Sequence, residues 1–282
     1  MPSGPWPPAP EPLPAPVVDN HTHLDWAGET GDPSVADKLA AASAAGITHV
    51  VQIGCELDTA QWTAAAVEQY PQMLGGVSLH PNEVPLHANG THASGVSYED
   101  AFAQIAELAK GERIRVVGET GLDFYRTGPD GVAAQVRAFR DHIALARELG
   151  LPLQIHDRDA HAEVLEVLDG DGLPPAVIMH CFSGDADFAR QCLDRGFYLS
   201  FAGTVTFANA PALREAAAIT PKGRLLVETD APYLTPVPHR GRPNSPAQAA
   251  LTVRALAKAR GDDLEALCVE LWATSMSLYG PW

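Results

Sequence analysis

Eight short β-branched runs alternate with amphipathic, Ala-rich stretches along nearly the whole chain, and that alternation limits the fold to a parallel α/β architecture. The runs fall near residues 17–21, 49–54, 74–79, 114–118, 152–155, 176–179, 197–201 and 224–228. Helical periodicity marks the stretches near 34–45, 58–69, 98–110, 131–149, 159–168, 185–194 and 209–218, with two more near 246–260 and 262–278. An open doubly wound sheet would alternate too. Eight units in this length fit a closed TIM (β/α)8 barrel better. No Gly-x-Gly-x-x-Gly follows the first run, which argues against a dinucleotide-binding sheet. The expectation is a single-domain barrel over residues 17–282.

Residues 1–16 stand apart, with eight prolines in MPSGPWPPAPEPLPAP. They lack the basic start and apolar centre of a signal peptide and read as an extended tail, mobile or wrapped on the domain surface. No apolar run approaches the length of a membrane-spanning helix, so no membrane association is expected. Cys55, Cys181, Cys192 and Cys268 form no CxxC pair, so a disulfide framework is not expected and cytoplasmic residence is the default. A barrel of this size can act alone, and a monomer is expected. The formal net charge of −16 disfavours a basic face that grips nucleic acid by releasing counterions. It leaves open a nucleic-acid substrate met through bound cations. The two longest loops, Asn82–Ser97 and the Pro-rich Pro232–Ser245, follow strand ends and would sit on the active face.

Five of the apolar runs finish in metal-ligand side chains: Val17–His23, Val116–Glu119, Leu153–His156, Val177–His180 and Leu225–Asp230. His21 and His23 are two apart, which on a strand points both rings to one face. Glu119 closes the fourth run, where a carboxylate can bridge two ions, and the neighbouring glycines allow close backbone approach. A lone histidine after an apolar run is commonly a hydrogen-bonded core residue. His156 and His180 on consecutive runs read instead as ligands. Asp230 can share the ion of His21 and His23 and orient or deprotonate the attacking water. Glu228 lies on the same face as Asp230 and reads as a group that orients ligands. Four imidazoles and two carboxylates exceed the needs of one tetrahedral ion, so two divalent ions are expected: Zn²⁺, Mn²⁺, Fe²⁺ or Ni²⁺, with Mg²⁺ as an alternative.

Arg126, Arg158, Arg240 and Arg242 fall just after strand ends, where guanidinium groups suit bidentate docking of phosphate. His80, before Pro81, is a candidate for substrate phosphate or for supporting a ligand. Tyr125, Phe182 and Tyr233 can stack on a base or pack as a lid. His49, His87, His92, His142, His161 and His239 read as structural or surface residues.

Taken in order, these segments resemble the TatD family of metal-dependent nucleases. Asp19–Asp25 is similar to that family's opening histidine motif, and Gly118–Arg126 to its fourth-strand motif. Ile155–Ala160 and His180–Gly184 resemble the next two, and Glu228–Leu234 with Pro238–Asn244 the closing signature. The resemblance covers residues 17–280. It implies a TIM barrel that hydrolyses phosphodiester bonds of DNA, with RNA as a further substrate and attack from a 3′ end in some members. It also implies one ion on His21, His23, Glu119 and Asp230 and another on Glu119, His156 and His180. Asp157 departs from the usual small polar residue, and Ala273–Met276 lacks the usual Asn. The Pro-rich tail and the 82–97 loop are additions to the pattern. A small-molecule amidohydrolase or esterase on the same barrel is the alternative, because a fold does not fix a substrate.

Overall fold

Every one of the eight β-branched runs forms a strand. These are β1 (Val17–Thr22), β2 (Ile47–Gly54), β3 (Met73–Val77), β4 (Ile114–Asp123), β5 (Leu153–Arg158), β6 (Val177–Met179), β7 (Tyr198–Phe201) and β8 (Leu225–Val227). The structure, a computed structural model, describes residues 4–26 and 32–282. Residues 1–3 of the expected tail and 27–31 of the expected barrel lie outside that set. The strands form one eight-stranded sheet in chain order, and β1–β2, β3–β4, β4–β5, β5–β6 and β7–β8 pair in parallel. With helices between the strands, this is the TIM (β/α)8 class. The strands are buried along almost their whole length, which explains why they read as continuous apolar runs.

The helices are α1 (Val35–Ala44), α2 (Leu57–Gln69), α3 (Val84–Ala88), α4 (Tyr98–Leu108), α5 (Pro129–Leu149), α6 (His161–Asp171), α7 (Ala186–Asp194), α8 (Pro211–Ile219), α9 (Ala249–Arg260) and α10 (Leu264–Tyr279). Several starts are written in the sequence. Ser34, Ser97, Asp185 and Asp263 each accept a backbone N–H in the first turn of the helix that follows. Helix α3 lies inside the loop expected over 82–97. Pro85 reads as a loop signal there, yet it occupies the first turn, where a missing N–H costs nothing. Among the described residues, no helix is long and apolar enough to cross a membrane.

Two compact units divide the chain, Met1–Gln52 with Gly184–Trp282, and Ile53–Ser183. In the first, the end of β1 is tied to the segment after β8. Thr22 bridges Ala231 in parallel, and Asn20 donates its amide to the Val18 and Val227 carbonyls. Part of the Pro-rich tail is held here. Leu13 is buried and its N–H donates to the Ala45 carbonyl, while Arg254 donates to the carbonyls of Glu11 and Pro12.

In the second unit, α5 packs along β4. His142 on α5 is fully buried, donates from Nδ1 to the Ala138 carbonyl (2.7 Å) and accepts the Leu79 N–H at Nε2 (3.1 Å). Burial pushes its pKa down to about 4, so the ring is neutral and structural.

Candidate metal centre

Strand β4 continues past the run expected to end at Gly118 and reaches Asp123. Two glycines make that possible. Gly118 and Gly121 have φ of 151° and 138°, and a Cβ on Gly121 would stand 2.1 Å from the His156 carbonyl oxygen. Gly121 pairs with His156 across β4–β5, so no side chain stands between that ring and its neighbours on β4. Glu119 and Asp123 flank Gly121 on the same face and both reach the ring. Nδ1 of His156 lies 3.1 Å from Glu119 Oε2, and Nε2 lies 3.1 Å from Asp123 Oδ2.

Three histidines surround the Glu119 carboxylate within this unit. His156 Nδ1 is 3.1 Å away, His180 Nε2 3.3 Å and His80 Nε2 3.8 Å. His80, Glu119 and His156 form one compact set of donor atoms. His80 also packs edge-on against His156, with ring centroids 4.6 Å apart. Sequence reasoning offered His80 for substrate phosphate or for supporting a ligand; its Nδ1 accepts the Asn82 N–H at 3.0 Å, which leaves the proton on Nε2, the atom that faces Glu119. Asp123 was not singled out at all. Carrying the period-2 face of β4 four residues beyond Glu119 would have found it.

The electrostatics of this group are those of a cation site. Burial disfavours charge on His156, but hydrogen bonds to Asp123 and Glu119 outweigh it and push the ring up to about 9. Burial also works against the Asp123 carboxylate, yet hydrogen bonds from His156, Asn82 and the Arg126 N–H hold it well below the usual range. Positive charge between Glu119 and Asp123 is therefore favoured. In the protein alone a proton supplies it, and a divalent ion would supply more.

The other unit carries a second group. His21 and Asp230 are joined through backbone: the Asp230 N–H donates to the His21 carbonyl, and the His23 N–H donates to Ala231. Asp230 takes a left-handed φ of 53°, which turns it out of β8 toward the histidines. The Nε2 atoms of His21 and His23 lie 3.2 Å apart, and Asp230 Oδ1 is 3.9 Å and 3.5 Å from them. Ligands about 2.0–2.1 Å from one tetrahedral ion stand about 3.3 Å from each other, so this spacing fits a shared cation.

Buried supports brace the same segment. Asp19 accepts from the Thr229 hydroxyl and N–H and from the His21 N–H. Burial, resisted by those hydrogen bonds, raises the Asp19 carboxyl to about 8. Glu228 accepts from Ser200 Oγ at 2.6 Å, and Asn244 donates to the carbonyls of Thr229 and Tyr233.

Arg158 lies over the ring of Tyr125 at 4.0 Å, and Arg240 over Phe207 at 4.3 Å. The Arg126 side chain is exposed, and Arg242 is half-buried. Tyr125 and Tyr233 are 65% and 44% exposed, whereas Phe182 at 2% is core. Asp157, the departure from the family pattern, is explained locally: it pairs with His161 Nδ1 at 2.7 Å at the start of α6. Among the described residues the cysteines form no disulfide.

Comparison with known proteins agrees with the geometry. A family model described as TatD related DNase matches residues 18–280. A Mycobacterium tuberculosis protein named as an uncharacterized metal-dependent hydrolase TatD is 45% identical, over 86% of this chain and 89% of its own. A Citrobacter rodentium protein named 3′-5′ ssDNA/RNA exonuclease TatD is 34% identical, over 86% of this chain and 90% of its own. The crystal structure of YjjV, a TatD homologue of Escherichia coli, superposes with a TM-score of 0.81 at 25% identity, covering 93% of this chain and 97% of that one.

Proposed function

The chain belongs to the TatD-related DNase family of metal-dependent hydrolases, and from that premise we propose that it hydrolyses phosphodiester bonds of single-stranded DNA from the 3′ end, with two divalent ions per chain. The observation that carries the reading is the pair of donor groups, each built from strand-end histidines around a carboxylate. The name of the Citrobacter rodentium relative supports the substrate and polarity, and extends the proposal to RNA.

In this reading His21, His23 and Asp230 would hold one ion, and Glu119, His156 and His180 the other. When bound, the ions supply Lewis-acid polarisation of the phosphoryl group and lower the pKa of water toward about 7. The rest is the work of side chains. Asp230, whose side chain is 15% exposed, accepts the proton of the attacking water and aligns its lone pair. His80 donates from Nε2 to a phosphate oxygen. Asp123 fixes the tilt of the His156 ring, and Glu228 is fixed in turn by Ser200.

Arg158 with Tyr125 offers a cation and an aromatic face in one place, suited to a phosphate and its adjoining base. Arg126, Arg240 and Arg242 dock flanking phosphates. A chain of net charge −16 needs such local positive groups to receive a polyanion. We take the protein to act as a cytoplasmic monomer.

Single-stranded oligonucleotides labelled at the 3′ or the 5′ end test the reading, with and without chelator and with Mg²⁺ or Mn²⁺ restored. The expected result is metal-dependent shortening in which the 3′ label is released first and the 5′ label runs down a ladder. Turnover of an ester or lactone panel with intact oligonucleotides would instead identify a small-molecule hydrolase.

A further inference from the structure

Between Trp6 and Leu13 the Pro-rich segment is neither helix nor strand, yet its burial is periodic. Pro7, Pro10 and Leu13 turn inward, while Pro8, Ala9, Glu11 and Pro12 face solvent. A polyproline II helix has three residues per turn, so one edge of it lies against the protein. Three anchors hold that edge, all within the unit of Met1–Gln52 and Gly184–Trp282. Leu13 donates its N–H to the Ala45 carbonyl at 3.0 Å and fills the space left by Gly46, where a Cβ would stand 2.9 Å from Leu13 Cβ. Arg254 donates to the Glu11 and Pro12 carbonyls at 3.3 Å and 2.9 Å. Trp6 Nε1 donates to Asp32 Oδ1 at 3.1 Å. Ala45 follows the last residue of α1 and Asp32 precedes its first, so the segment runs antiparallel along that helix. At about 3.1 Å per residue, Trp6 to Leu13 covers about 22 Å, enough for the about 15 Å of a 10-residue helix and the residues that flank it.

What Trp6 touches leads toward the metal centre. Its ring lies 5.7 Å from Lys38 Nζ, within cation–π range. Lys38 is buried, and the charges of Asp32 and Asp25 both act on its ammonium. A buried cation needs such partners, so Lys38 keeps both carboxylates close. Asp25 Oδ1 accepts from Gln52 Nε2 at 2.6 Å, and Gln52 Oε1 accepts the Leu24 N–H at 2.6 Å. Leu24 follows His23. Indole, ammonium, carboxylate, amide and backbone thus form one continuous chain from the Pro-rich segment to the residue beside an imidazole of the centre.

We propose that residues 6–13 are a polyproline strap that splints α1, and that Trp6 is a positioning residue that holds the Leu24–Asp25 turn and, through it, the His23 ring. A proline-stiffened segment suits this work, because little freedom is lost when it docks. The step to His23 rests on the metal role proposed above; the strap does not.

The test uses the whole protein, Mn²⁺ as the metal and two changes, Trp6→Ala and deletion of residues 4–10. Amide hydrogen exchange is read at Leu24 and Asp25, with β5 as internal control. Exchange at Leu24 and Asp25 should speed by about tenfold in both variants while β5 is unchanged. The Mn²⁺ concentration that gives half-maximal oligonucleotide hydrolysis should rise about threefold to tenfold. Unchanged exchange at Leu24 and Asp25, or equal acceleration in β5, overturns the strap. Faster local exchange with an unchanged Mn²⁺ requirement overturns the positioning role of Trp6. Absence of metal-dependent hydrolysis in the unsubstituted protein would remove the metal reading, and the exchange comparison would still decide the strap.

Discussion

The two donor groups are assembled by different means. His21, His23 and Asp230 are placed by backbone, through the Asp230 and His23 N–H bonds that continue the β1 ladder past β8. Glu119, His156 and His180 are placed by side chains, through Asp123 on one edge of the His156 ring and Glu119 on the other. A backbone-built group survives the loss of one ligand with its frame intact. A side-chain-built group loses part of its geometry when a supporting carboxylate goes, because Asp123 and Glu119 hold the two nitrogens of the His156 ring.

Substitutions can break that contrast, in descending order of effect. Glu119→Ala removes the carboxylate around which three histidines gather, and kcat/KM should fall by at least about 10⁴-fold with loss of bound metal. Retention of both ions and near-normal turnover would sink the ligand role of Glu119. Asp230→Asn keeps the backbone frame and removes a proton acceptor; kcat should fall by about 10²- to 10³-fold while the Glu119 group still binds its ion. Loss of all metal in that variant would mean that the two groups are not separable. Asp123→Asn removes no expected ligand, yet metal affinity at the Glu119 group should weaken by about 10- to 100-fold because its contact with the His156 ring changes. Unchanged affinity would show that the His156 ring is held by packing alone.

A pH titration sharpens the same point. The folded pKa of His156 is raised to about 9, above its unfolded value of about 6.5. Its protonation therefore stabilises the metal-free fold fully below about pH 6.5, and that contribution is lost as pH rises through 9. Metal entering this group must displace that proton. Calorimetry in buffers of different ionisation enthalpy should register its release at pH 7–8, fading above pH 9; no buffer dependence would contradict the assignment. The smallest effect is expected at Arg158→Ala, about threefold to fivefold in KM for single-stranded DNA with kcat unchanged.

Much of this was legible in the residues. The alternation of runs placed all eight strands, because barrel strands are buried on both faces and leave unbroken apolar runs. The backbone-built group was readable from a His-x-His pair and from Asp230 beyond the last run. The side-chain-built group was only half readable. Gly118 and Gly121 look like the end of a strand, since glycine weakens strand propensity, and the close approach to β5 that makes glycine necessary there is a tertiary fact. Asp123 was hidden behind that boundary.

Anomalous diffraction from crystals grown with Mn²⁺ or Zn²⁺ tests the central claim most directly. The account predicts one peak within bonding distance of His21, His23 and Asp230, and another within bonding distance of Glu119, His156 and His180. A peak at one group alone, or at neither in crystals of an active preparation, would contradict it.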